Sequence, residues 1–400
     1  LVGIPTDTRV PRPTLPSIAA VTQPPANPGA NPTVGVPPAP SALPPTATIG
    51  NTTIIGGAAT PTLPPVTAPV IRTATGSEAT PAGSSEAQAE FESIASPLIP
   101  LSGGEFLLGT TQKEATQAVT DCTSRDGGKC QLTDASDSTY PHFVTLNPFS
   151  IEKTEVSVSQ YVAFLNTLPY TDTVKPHTNG CGGQPCFAIF DDKNKGSPVR
   201  VDGTLYKPVN DLLRDRPMVF VTWYGASSYC RALGRRLPTE AEWERSARRR
   251  LDGNNLSIYP WGDAWDGTLA NSSRPPKNAA VSVTDYANGS SAEGVLNLAG
   301  NVGEWVSDWY GENYYRDPNF TALNPKGPTS GQQKVVRGGN WSTTPFFLRS
   351  VHRLSAQPLQ PTITIGFRCA IDGAPPGVDV PSPPLPSNPG APTAVGTLKP

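Results

Sequence analysis

The segment VRGGNWSTTPFFLRSVHR, residues 336–353, gathers the side chains best suited to chemistry in this chain. Ser342, Thr343 and Ser350 are hydroxyl nucleophile candidates, and His352 is the base nearest them in sequence. A hydroxyl attacks only when a base is aligned to take its proton and a third group orients that base. Asp308 is an available acid, but no triad signature joins it to His352. His142, His177 and His352 are the only histidines, so a zinc site would have to draw on the cysteines. Six cysteines point to an oxidising compartment. Cys122 and Cys130 bracket CTSRDGGKC, and Cys181 and Cys186 bracket CGGQPC. A local disulfide would close either loop; metal binding is the less favoured alternative.

Composition says where such residues can be held. Residues 1–90 contain no Phe, Tyr, Trp or Cys. Such a segment buries too little apolar surface to offset its ordering entropy and reads as a Pro/Thr-rich extended arm, here residues 1–95. Within it, TATIGNTTIIGG (46–57) lacks Pro and reads as a strand, one that would suit another subunit's sheet edge. Residues 373–400 form a second Pro-rich tail, which leaves 96–372 as one globular domain with ample length for a core. The chain opens on Leu1 rather than Met, which suggests a processed or trimmed N-terminus. Net charge is −2, with no basic excess for nucleic acid or an anionic membrane, and no apolar run is long enough for a transmembrane segment.

Within the domain, LSGGEFLLGTT (101–111) reads as a turn into a strand, and 142–166 as two strands and a helix. That helix would bury Val158, Tyr161, Val162 and Leu165. Thr222 can cap a helix whose stripe is Trp223, Ala226, Cys230 and Leu233, with Gly234 as its stop. After Pro238, Thr239 and Glu242 form a capping box for the next helix. Arg245, Arg248, Arg249 and Arg250 crowd its last turn and read as a solvated helix end. Beyond residue 251 short segments and Gly-rich turns dominate, so the fold class is α+β with little regular structure.

Taken together, GGEFLLGT, EKTEVSVSQYVAFLN, RPMVFVTWYGASSYCRALGRRLPTEAEWERSARR, YPWGD, LNLAGNVGEWVSDWY, VVRGGNWS and IGFRCA resemble the sulfatase-modifying-factor superfamily, which includes the formylglycine-generating enzyme. The resemblance runs from about residue 100 to 371 and implies a C-type-lectin-like fold. It implies a long-range disulfide, Cys230–Cys369. It also implies a structural calcium ion on NLAGNVGEW, with side-chain oxygens from Asn297 and Glu304 and backbone carbonyls from Gly300 and Val302. Without metal, Asn297 and Glu304 would cap turns. The family's other calcium site begins at Asn271, but its acidic return loop is shortened or replaced here.

The family's enzymes bind copper through two cysteines in the loop after Arg-Gly-Gly. Here those positions are Thr343 and Leu348, and a hydroxyl does not replace a thiolate on Cu(I). The expectation is therefore no copper, no formylglycine-generating oxidase and no catalytic residue. What remains is a secreted or surface-displayed pseudoenzyme, at the cell surface or outside it, that binds a protein or glycan. Thr343, Phe346, Phe347, Arg349, His352 and Arg353 make its candidate ligand surface, although the two phenylalanines fit a core equally well. The Pro-rich arms would engage other subunits, giving a homo-oligomer, filament or surface assembly. Some superfamily members are retroelement-diversified proteins, and the corresponding variable loop here is 340–365. Sequons at Asn51, Asn271 and Asn319 permit glycosylation.

Overall fold

A computed structural model describes residues 82–188, 196–248, 256–273, 278–375 and 377–378. The strand expected at 46–57 lies outside the described residues, as does Asn51. The described part begins with helix α1 (Ala82–Ser93), so the arm boundary expected at residue 95 falls inside folded structure. Its Phe91 is fully buried, with ring centroids 5.7 Å from Phe164 and 5.1 Å from Tyr229.

Strands β1 (Leu98–Leu101) and β2 (Gly104–Leu108) flank a Gly-Gly turn. A Cβ on Gly103 would stand 2.4 Å from the Leu146 carbonyl oxygen, so only glycine fits there. Helix α2 (Gln112–Ser124) follows, capped by Thr111 and Glu114 in a reciprocal box. Strands β3 (His142–Leu146) and β4 (Phe149–Glu152) lead to α3 (Val158–Thr167), which Ser157 and Gln160 cap in the same way. All four apolar residues expected on α3 are buried. A hairpin, β5 (Val199–Asp202) and β6 (Leu205–Pro208), precedes α4 (Trp223–Ala232) and α5 (Glu240–Arg248). Thr222 accepts the Gly225 amide, and Gly234 takes a left-handed φ of 66° just past α4. Thr239 and Glu242 close the capping box of α5.

The chain then carries β7 (Gly303–Trp309), β8 (Lys334–Arg337), β9 (Arg353–Ala356), β10 (Ile365–Phe367) and β11 (Ala370–Asp372). Strands β10, β7, β8 and β9 form one sheet in that order. Strands β1, β4 and β11 form a second, with β4 central and antiparallel to both neighbours. Two-stranded ladders pair β2 with β3 and β5 with β6. One apolar cluster unites α1, α3 and α4 around Tyr161, Tyr229 and Phe367, and another gathers under α5 around Trp243 and Phe149. The architecture is mixed α+β with sparse regular structure.

Helix α5 corrects one expectation. Every residue from Glu240 to Arg248 is buried, although five of the nine are charged. Arg245 and Arg248 are each 3% exposed and do not form a solvated end. Arg245 pairs with Glu293 at 2.7 Å, and Arg248 donates to the Gly109 carbonyl. A polar helix can be buried when every charge finds a partner, and α5 meets that condition.

Candidate functional site

The segment after Arg337 leaves β8 through Gly338 and Gly339, both with left-handed φ, and returns at β9. Arg337 is fully buried and fixes both ends of that loop. Its Nη2 donates to Glu244 Oε2 at 2.6 Å and to the Ser350 carbonyl at 2.7 Å. Its Nη1 donates to Glu240 Oε1 and to the Val351 carbonyl, both at 3.2 Å. Burial opposes the charge on Arg337, but the carboxylates of Glu244 and Glu240 more than compensate, and its pKa rises. Arg353 grips Glu240 bidentately, at 2.7 Å and 3.0 Å.

The candidate nucleophiles do not meet a base. Ser342 Oγ donates to Asn340 Oδ1 at 2.7 Å, Thr343 Oγ1 to the Asn340 carbonyl at 2.9 Å, and Ser350 Oγ to the Ala247 carbonyl at 3.2 Å. The His352 ring packs edge-on against Phe346 and Phe347, at 5.3 Å and 4.9 Å, and its buried Nε2 has no hydrogen-bond partner. Burial, with Arg349, Arg337 and Arg353 nearby, pushes its pKa down to about 3. A neutral, buried imidazole cannot take up a proton at neutral pH.

Asp308 lies elsewhere, accepting the Glu240 amide at 3.0 Å and the Ser307 hydroxyl at 2.8 Å. Burial and the charge of Glu240 push it up to about 7. The folded state therefore holds its proton more tightly than the unfolded chain, and ionisation costs stability as pH rises from about 4 to about 7. D308N removes that ionisation while keeping an acceptor. The Tm of D308N relative to wild type is expected to move upward between pH 5 and pH 8 in a thermal melt series. A constant difference would refute the assignment.

The expected ligand surface is largely interior. Phe346, Arg349, His352 and Arg353 are each no more than 4% exposed, because the return of the loop passes under α2 and α5 rather than over them. Thr343 and Phe347 are half-buried, as is Trp341. The exposed large apolar side chains of 340–365 are Leu359 and Ile363, beyond β9. At the copper-cysteine positions, Leu348 is fully buried against Tyr259, Ala270 and Ala299. All six cysteines are paired, as Cys122–Cys130, Cys181–Cys186 and Cys230–Cys369. Three disulfides indicate an oxidising setting. No described helix is long and apolar enough to cross a membrane.

The NLAGNVGEW turn is buried, with Asn297 at φ 56° and Gly300 at φ 85°. Glu304 accepts Arg368 through both oxygens at 2.7 Å, and Trp243 Nε1 at 2.8 Å on Oε2. One acceptor position thus remains on Oε1, since each carboxylate oxygen offers about two. Asn297 Nδ2 donates to Glu155 Oε2 at 3.2 Å. Burial and the charge of Glu304 push Glu155 up to about 8. Two carboxylates in one buried site, with amide and carbonyl oxygens on the turn, fit a hard divalent cation. Asn271 is fully buried, which rules out its sequon as a surface acceptor; Asn319 is exposed.

Sequence reasoning missed Glu240, Glu244 and Arg368. The two glutamates stand four apart on α5, the spacing that sets both on one helix face, and that signal was present.

Comparison with known proteins adds the lineage. The sulfatase-modifying factor enzyme 1-like domain matches residues 93–373. A formylglycine-generating enzyme of Streptomyces coelicolor is 30% identical over 281 residues, covering 62% of this chain and 87% of that protein. The serine/threonine-protein kinase Pkn1 of Chlamydia trachomatis is 33% identical over 238 residues, covering 58% of this chain. The chain spans only 34% of that kinase. Among solved structures, PvdO from Pseudomonas aeruginosa aligns with a TM-score of 0.48 at 22% identity, covering 69% of this chain and 94% of that one. Treponema denticola variable protein 1 aligns with a TM-score of 0.45 at 20% identity and the same coverage. With its folded part matched almost from end to end, the chain belongs to the sulfatase-modifying factor enzyme 1-like (formylglycine-generating enzyme-like) domain family.

Proposed function

We propose that this chain is a non-catalytic binding protein, secreted or displayed at the cell surface, whose globular head is carried on Pro-rich arms. One observation carries the reading. The two positions that hold copper cysteines in the family's enzymes are a threonine bound to its own loop and a buried leucine, and no cysteine is left as a thiol. Cu(I) is a soft ion that needs thiolate or thioether ligands, and Oγ of Thr343 offers neither. Incubating the full chain with Cu(I), oxygen and a cysteine-containing sulfatase-type peptide should give no formylglycine by mass spectrometry. Copper-dependent conversion of the peptide would overturn the reading.

The arms carry the second half of the proposal, that they engage other copies in an extracellular assembly. Deleting residues 1–81 spares α1 and should reduce the particle mass measured by light scattering; an unchanged mass counts against it. Retroelement-type diversification of the 340–365 loop would act through 340–344 and 354–364, because most of 345–353 is buried. A protein or glycan ligand would then meet Leu359 and Ile363 together with Thr343 and Phe347, the two of the six residues named from the sequence that are not buried.

Calcium is proposed as a structural ion on the Asn297–Glu304 turn, where it would hold Glu155 ionised beside the Glu304–Arg368 pair. Adding 1–5 mM calcium, on the order of the weakest extracellular sites, should raise Tm relative to chelator, and N297A should abolish the shift. Equal melting in calcium and chelator would exclude the ion.

A further inference from the structure

A cavity of about 90 Å³ opens between α2, the segment around Tyr259 and the loop after Arg337. Its floor is Arg349, which is 4% exposed. A guanidinium carries five N–H donors. Among the described residues this one has a single hydrogen-bond partner, the Thr110 hydroxyl at 3.5 Å. Every other buried arginine described near it, at 248, 337 and 353, has a carboxylate within 4 Å. Burial and Arg248 oppose the charge on Arg349, while Tyr259, Glu114 and Asp121 favour it without any described carboxylate coming within 4 Å. A buried cation without a close carboxylate is costly, and this one lines a cavity.

The remaining walls say what the occupant looks like. The rings of Tyr259 and Phe346 are apolar. Asp121, on the last turns of α2, lines the cavity with its side chain 39% exposed; Arg125 Nη1 stands 3.6 Å from its Oδ2, and Gln117 donates to its Oδ1 at 2.8 Å. The site thus offers the Arg349 fork on one side, an apolar middle, and towards solvent the carboxylates of Glu114, Asp121 and Asp263 with Arg125 among them. The volume suits about six to nine water-sized groups. We propose that this pocket binds a small α-amino acid as its zwitterion, with the carboxylate on Arg349 and the ammonium group at Asp121. Arg349 is suited to this because its planar fork matches a carboxylate bidentately. The proposal rests on the binding reading above and gives it a ligand class.

The test uses the full chain and isothermal titration with alanine, acetate and ethylamine. Alanine should bind with an affinity at least tenfold above either single-charge probe. R349M should lose alanine binding. D121N, at a half-exposed position, should weaken alanine at least fivefold and leave acetate unchanged, so the proposal stays testable if R349M does not fold. Alanine binding that survives both substitutions, or alanine no better than acetate, would overturn it. No alanine binding removes the pocket while leaving the non-catalytic reading intact, whereas copper-dependent peptide oxidation removes that reading and leaves the pocket.

Discussion

The double variant C230A/C369A is expected to lose about 5 kcal/mol of unfolding free energy, the largest single loss that a covalent change in this fold can cause. The bond closes a separation of 139 residues, and the chain-entropy argument makes stabilisation grow with the logarithm of that length. On the same scale Cys122–Cys130, separated by 8, contributes about 2.5 kcal/mol, and Cys181–Cys186, separated by 5, about 2. The long bridge also ties α4 to the turn between β10 and β11, with both cysteines fully buried. Urea unfolding under non-reducing conditions measures the difference. A loss below 1 kcal/mol, or a ranking in which a local bridge matters more, would show that the long closure is not what constrains the unfolded chain.

Replacing Arg337 by methionine is expected to cost about 3–5 kcal/mol, the range found when one partner of a buried ion pair is removed. Glu240 keeps Arg353 and Glu244 keeps Arg248 at 3.6 Å, so the site does not lose all its positive charge. It loses the group that also binds the carbonyls of Ser350 and Val351, which ties α5 to the returning end of the loop. R337K restores charge without the fork and should recover less than half of the loss. Thermal melts of the three proteins decide the matter. If R337M melts within a degree or two of wild type, the ion network is not what holds the loop.

Much of this was legible in sequence, and what was not follows a pattern. The caps of α4 and α5 were readable because a capping residue and its partner lie three apart and act locally. The box at Thr111 and Glu114 carries the same signal, yet α2 was passed over because the Cys122–Cys130 spacing drew it into a loop reading. Its buried side chains, Ala115, Ala118 and Cys122, are small, so the apolar stripe is faint. The mistakes about Arg245, Arg248 and the ligand surface share another cause. Local pattern shows a basic residue but not the distant acid that lets it be buried. Glu293 is 48 residues from Arg245, and Glu240 is 113 from Arg353. Helix α5 carries an apolar face in Ala241, Trp243 and Ala247, but its five charged residues argue for solvent on the rest; only tertiary partners explain why that part too lies in the core.

The three-stranded sheet bears on mechanics. Strand β4 lies between β1 and β11, and both neighbours run antiparallel to it, hence parallel to one another. Leu98 at the start of β1 pairs with Glu152, while Asp372 at the end of β11 pairs with Phe149. The polypeptide therefore enters this sheet at one end and leaves it at the other. A pull along the strands between entry and exit shears the ladders, and their hydrogen bonds share the load together instead of opening one after another. The geometry is that of a clasp, and the four-stranded sheet with its loop lies outside it.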